Sequence, residues 1–129
     1  MKSFVIFVLI IVITGQINAT PSLDDFKKVQ KDCQKKTGVS DESINKVNNL
    51  EPVCDDLLLQ ENALCILKTY EVMDEEGKIC PDKLMEVLEP KFGKEKAEKL
   101  IEKCTLEKDT PQLLAHATLF CLSVQKYVV

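Results

Sequence analysis

The sequence predicts an all-α protein, a compact bundle of about six short helices stapled by disulfides. Three observations predict it. Apolar residues recur at three- and four-residue spacing through six segments. Capping residues, prolines and glycines stand where those segments start and stop. Six cysteines (Cys33, Cys54, Cys65, Cys80, Cys104 and Cys121) lie in or beside them, and none forms a Cys-x-x-Cys pair. Structural zinc needs close-spaced thiolates, so this spacing favours staples between helices.

Residues 1–19 read as a secretory leader. Met1 and Lys2 make a basic start, Phe4 to Ile13 is apolar, and Ile17-Asn18-Ala19 offers a cleavage site. The run is too short for a bilayer span of about 20 residues. Cleavage would start the mature chain near Thr20 and leave residues 20–129 as one helical domain, 110 of the 129 residues. At that size covalent staples usefully reinforce a single core. No later stretch is long and apolar enough to span a membrane, so a soluble, secreted, extracellular protein is expected, in surroundings where disulfides persist.

The first helix starts at Ser22, with Asp25 three residues on as a variant capping box; Leu23, Phe26, Val29 and Cys33 follow at helical spacing, and Gly38 ends it. Ser40 opens a second, with Ile44 and Val47 on one side. Asn48-Asn49 and Pro52 break the chain. The longest helix is expected over Asp55 to Met73, apolar on much of its circumference and therefore central. Asp74-Glu75-Glu76-Gly77 is a polar turn. Pro81 suits the first turn of a fourth helix, which Pro90 and Gly93 close. The fifth covers Lys94 to Thr105, with Ala97, Leu100, Ile101 and Cys104 on one face. Thr110 and Pro111 open the sixth, with Leu114, Ala117, Cys121 and Val124 as its apolar stripe. Tyr127-Val128-Val129 is expected as a short tail. No strand pattern or repeat competes.

All 17 basic residues are lysines; with 21 acids they give a net charge of −4, or −5 once Lys2 leaves with the leader. An acidic chain without arginine argues against nucleic acid and against insertion into anionic membranes. Tryptophan is absent and aromatics are few, so no large flat interface is advertised. No phosphate loop, metal-ligand cluster or paired-carboxylate site appears, hence no cofactor, no metal, no catalytic residues and no enzyme are expected. His116, the single histidine, stands in no catalytic context and reads as a packed or surface residue. The run Lys91 to Lys103 is interleaved with glutamates and reads as a solvated helix face.

Two stretches carry a family likeness. Cys65 to Ile79 looks like the third-cysteine helix and following acidic turn of the insect odorant-binding proteins, and Asp32 to Ser40 looks like the end of their first-cysteine helix. The likeness covers nearly the whole mature chain. The family places its second cysteine four residues before the third and its fifth nine before the sixth. Those positions here hold Glu61 and Gln112. Second and fifth are partners in the family, so both halves of one bridge are missing together. The chain thus resembles the minus-C subgroup.

The resemblance implies bridges Cys33–Cys65 and Cys104–Cys121, each worth roughly 3–4 kcal/mol in the chain-entropy account. It also implies that Glu61 faces Gln112; a hydrogen bond standing in for the lost link and two solvated side chains on loosened helices are both open there. Cys54 and Cys80 lie outside the pattern. Flanking a helix from Asp55 to Met73, they would stand about 25 Å apart, far beyond disulfide reach; free thiols and links between two chains both remain open.

The resemblance further implies a carrier that binds a small hydrophobic ligand, such as an odorant, pheromone or lipid-like molecule, in an internal cavity and moves it through aqueous fluid, as in olfaction. Candidate lining residues are Leu58, Ile66, Met73, Leu84, Leu88, Leu100, Leu114, Phe120 and Val124, with Thr69 and Tyr127 as polar anchors. Plain core packing is the competing reading for each. A membrane receptor is a candidate partner, and a monomer or weak dimer is expected. The rivals are a saposin-like lipid-interacting protein, whose close cysteine pairs this chain lacks, and a secreted protein acting through its surface.

Overall fold

The computed structural model describes residues 21–53 and 55–128, except for the side chains of 126–128. The expected leader, Cys54, Val129 and the Tyr127 side chain lie outside the described residues.

A 3-10 turn, Leu23–Asp25, leads into α1, Phe26–Thr37. The Asp25 carboxylate accepts from the Ser22 N–H at 3.2 Å and from its hydroxyl at 3.3 Å, the capping arrangement the sequence predicts. Gly38 ends α1 in the left-handed region at φ 80°. In α2, Asp41–Asn48, Ser40 caps the start by accepting the Ser43 N–H at 3.1 Å.

The central helix α3 spans Leu57–Thr69, shorter at both ends than the expected Asp55 to Met73. Asp56 is its N-cap and accepts the Leu59 N–H at 3.1 Å, which puts Asp55 outside. At the far end Glu71 adopts φ 61°. Its N–H returns to the Lys68 carbonyl at 3.0 Å and that of Val72 to Leu67 at 2.9 Å. This is a Schellman close, built on glutamate where the sequence signal would be glycine.

The acidic turn is a short hairpin joined by a Met73–Ile79 bridge. The Asp74 carboxylate accepts the N–H groups of Glu76 and Lys78 at 2.9 Å each. Gly77 is required there twice over: φ is 80°, and a Cβ would stand 2.5 Å from the Pro111 ring. Cys80 follows as a free thiol and precedes α4, Pro81–Phe92.

Pro90, expected to close α4, lies inside it. Only one ladder bond is forfeited in this last turn, and the Gly93 N–H still closes on Glu89 at 2.8 Å. Helix α5 is Lys94–Cys104 and α6 is Pro111–Val128. Thr110 caps α6 by accepting the Leu113 N–H at 3.1 Å. The expected tail is therefore helical to Val128.

Helices α3 and α6 pack together at the centre; α1 covers α3, and the α4–α5 pair closes against α6. Val29, Ala63, Ile66, Leu67, Met73, Leu84, Leu88, Ala97, Leu100 and Ala115 fill the space between them. A smaller cluster of Val39, Ile44 and Leu59 seats α2. The buried line of α6 runs through Ala115 and Thr118, both at 0 % exposure, one residue round from the expected stripe. Because α6 is apolar on several sides, spacing alone left its inward face open. Cys33–Cys65 and Cys104–Cys121 are bridged, with Cα separations of 5.8 and 5.5 Å. They tie α1 to α3 and α5 to α6.

Candidate ligand-binding site

An apolar hollow borders the buried core at Leu88, which belongs to both. Four wall segments each give it two side chains at helical spacing: Leu23 and Phe26, Val47 and Leu50, Leu88 and Phe92, Leu119 and Leu122. The hollow measures about 350 Å³, within the about 300–1,000 Å³ usual for small-molecule sites. Asp24, Lys27, Asn48, Lys91 and Ser123 complete the lining.

Local structure explains how these residues arrive there. Tyr70, 2 % exposed, donates its hydroxyl to the Ser22 carbonyl at 2.8 Å, so the end of α3 fixes the turn that carries Leu23 and Asp24. Burial, and secondarily the charge of Asp25, pushes the phenol up to about 12. Leu50 follows α2 at φ 61°. Its N–H returns to Val47 and that of Glu51 to Lys46, both at 2.9 Å, a second Schellman close without glycine. A bulky residue in this region costs about 1–2 kcal/mol; here the bend sets Leu50 in the wall.

The polar lining is partly engaged. Asn48 and the buried Gln30 exchange amide hydrogen bonds at 3.1 and 3.4 Å. The Lys96 ammonium lies 5.4 Å from the centroid of the Phe92 ring. A second hollow of about 530 Å³ adjoins the first, sharing Leu23, Asp24 and Lys91.

The sequence-derived residues are distributed as follows. Leu88 lines the hollow. Ile66, Met73, Leu84 and Leu100 are buried in the core, with Leu114 packed against it. Val124 is half-buried. Phe120, also half-buried, stacks on His116 with ring centroids 6.4 Å apart. Leu58 is 49 % exposed. Thr69 donates to the Cys65 carbonyl at 2.8 Å and lines a separate surface hollow beside Glu61 and Lys68. The flanking residues that sequence reasoning missed were visible as helical periodicity in Leu23, Phe26 and Val47. Which of several apolar faces stays uncovered is a property of packing, and no spacing encodes it.

Away from the hollow, Asp56 accepts the Ser43 hydroxyl, and this bond chiefly holds its carboxyl below the ordinary range. His116 is half-buried, and desolvation lowers its pKa against the opposing pull of a Val53 backbone hydrogen bond and the Asp56 charge. Among the described residues no cluster of histidine, cysteine and carboxylate side chains could hold a metal, and no helix is long and apolar enough to cross a membrane.

Solved structures share the architecture. A blowfly (Phormia regina) fatty-acid-binding protein, OBP56a, superposes with a TM-score of 0.61 at 20 % identity, covering 82 % of this chain and 92 % of its own. The THP12 carrier protein of the yellow mealworm gives 0.60 at 38 % identity, covering 70 % and 84 %. The B1 protein of Tenebrio molitor is 31 % identical over 121 residues, 92 % of this chain and 91 % of that one. Odorant-binding protein 10 of Aedes aegypti is 27 % identical over 112 residues, 81 % and 80 % of the two chains. The PBP/GOBP family model matches residues 18–125, nearly the whole chain after the expected leader, and the chain belongs to that family.

Proposed function

We propose that the protein is a soluble extracellular carrier that takes one small hydrophobic molecule into the hollow beside Leu88 and moves it through aqueous fluid without altering it. The observation that carries this reading is the four-walled lining, in which eight apolar side chains surround about 350 Å³. Burial supplies the affinity: each CH₂ removed from water contributes about 0.8 kcal/mol, so a medium-length chain reaches micromolar binding, about −8 kcal/mol. Relatives named as a carrier and as an odorant-binding protein support the same role.

Secretion through removal of residues 1–19 belongs to this reading, supported by two disulfides that need an oxidising compartment. So does placement in the minus-C subgroup, supported by Glu61 and Gln112 at the positions of the missing bridge. The buried residues Ile66, Met73, Leu84 and Leu100 are a second tier of lining, reached only by ligands that part the core at Leu88. Monomer or weak dimer is the proposed state, with a membrane receptor as candidate partner.

The test is displacement of a neutral fluorescent naphthylamine dye from the bridged protein by volatile and long-chain compounds. Saturable one-to-one binding with competition is expected. A folded protein that binds neither dye nor competitor would sink the reading in favour of a protein acting through its surface.

A further inference from the structure

Three of the four wall segments of the hollow are firmly seated. Tyr70 fixes the turn that carries Leu23, α4 packs on α5, and α6 packs on α3. The fourth, Val47 to Leu50, belongs to α2 and its close. Helix α2 takes no part in the extensive helix pairings of the bundle, and neither bridge ends in it. Ile44 is its one buried residue.

The ties of α2 are uneven along its length. At its start, Gln34 donates to Asp41 at 2.7 Å and to the Val39 carbonyl at 3.1 Å, and the Ser43 hydroxyl donates to Asp56. Ile44 seats there against Val39 and Leu59. Beyond Ile44, the amide pair between Asn48 and the buried Gln30 of α1 joins the helix to the bundle, and Val47 is only half-buried. The N–H groups of Asn49, Leu50 and Glu51 return to the Asn45, Val47 and Lys46 carbonyls, so they bind this stretch to α2 and not to the bundle. Glu51 and Pro52 are exposed, and Val53 after them is held by its backbone hydrogen bond to His116.

We propose that the end of α2, from Asn45 to Leu50, is the door of the hollow, swinging on the start of its own helix, with the Gln30–Asn48 amide pair as its latch. This rests on the carrier function above. Opening lifts Val47 and Leu50 off the hollow and lets water reach the Gln30 amide, so the latch exchanges protein partners for water at modest net cost. An element that buries so little apolar surface opens at a free energy well below that of the whole bundle. The latch holds the door in the empty and the loaded protein alike, so it governs how fast a ligand passes and not how tightly it is held.

The experiment uses the full mature protein with both disulfides and a neutral naphthylamine dye. A helix as short as α2 is not stable once undocked, so opening registers as hydrogen exchange. The amides of Asn49, Leu50 and Glu51 should exchange at least roughly tenfold faster than those of α3 and α6. In stopped flow, Q30L breaks the latch from a residue outside the lining. Dye entry and dye release should both quicken roughly fivefold, with the dissociation constant within about twofold of the parent. Adding N48A to Q30L should quicken entry no further. Exchange of α2 in step with α3 and α6 overturns the door and leaves the carrier intact. So does a folded Q30L protein whose two rates are unchanged, or in which release alone quickens. If Q30L does not fold, N48A at the exposed partner takes its place, and unchanged entry overturns the proposal. If the folded parent binds no dye, the carrier falls and the door with it.

Discussion

Gln112 donates through Nε2 to Glu61 Oε1 at 3.0 Å, and this contact joins α3 to α6 at the two positions that the sequence resemblance assigns to the family's second and fifth cysteines. The resemblance left this hydrogen bond open against two merely solvated side chains, and the structure contains the bond. Because the bond is exposed, it is expected to contribute less than about 1 kcal/mol. A double-mutant cycle of E61A and Q112A should give a coupling of about 0.5 kcal/mol in urea melts. Zero coupling would reduce the pair to two solvated side chains that happen to meet.

Thr118 offers the opposite case. It is fully buried, and its hydroxyl has no hydrogen-bond partner among the described residues. T118V keeps the shape and removes the unsatisfied group, so it should stabilise by about 1 kcal/mol. The urea midpoint is the measurement; a comparable loss of stability would show that the hydroxyl is hydrogen-bonded in solution.

Leu50 trades backbone strain for an apolar wall. In L50G the left-handed φ of 61° becomes comfortable, while a side chain lining the hollow is lost. Stability should stay within about 1 kcal/mol of the parent because the two effects offset. Dye affinity should fall about tenfold, since full burial of a leucine is worth up to about 3 kcal/mol. Unchanged affinity would remove Leu50 from the binding site.

Two groups contribute to the acid side of the stability curve, in separate windows. Burial lowers the pKa of His116 below its ordinary 6.5, so the unfolded chain takes up the proton first. Stability is whole above that value and declines as pH falls through the folded value. Asp56, lowered from 3.8 mainly by the Ser43 hydroxyl, contributes stability above that value that is lost as its folded form protonates at lower pH. Melting temperatures of H116Q should flatten the upper window only. A parent whose melting temperature rises between about pH 6.5 and pH 5 would contradict the sign.

The fold was legible because its signals were local. Ser22, Ser40, Thr110 and Pro111 announce helix starts that the structure keeps, and Gly38 announces an end. The misread boundaries lacked their usual markers. Glu71 sits in left-handed backbone where glycine would be sought, and Pro90 was given more breaking power than a last-turn proline has. The site was less legible for another reason. Ile66, Met73, Leu84 and Leu100 satisfy every criterion for an apolar lining and equally every criterion for a core; only three-dimensional packing shows that they touch one another.

The two bridges also determine what a proteolytic cut would do. The connection between α2 and α3, mostly exposed, falls inside the Cys33–Cys65 loop; the connection from 105 to 110, exposed except for Thr105, falls inside the Cys104–Cys121 loop. A nick in either would leave one covalent molecule of unchanged mass but for a water, its pieces still tethered across the core. The remaining long connection, between α3 and α4, has no bridge around it among the described residues, but it buries Val72 and Met73 and is closed by the hairpin. In a protease-rich fluid, the connections between helices most open to attack are those where attack releases nothing.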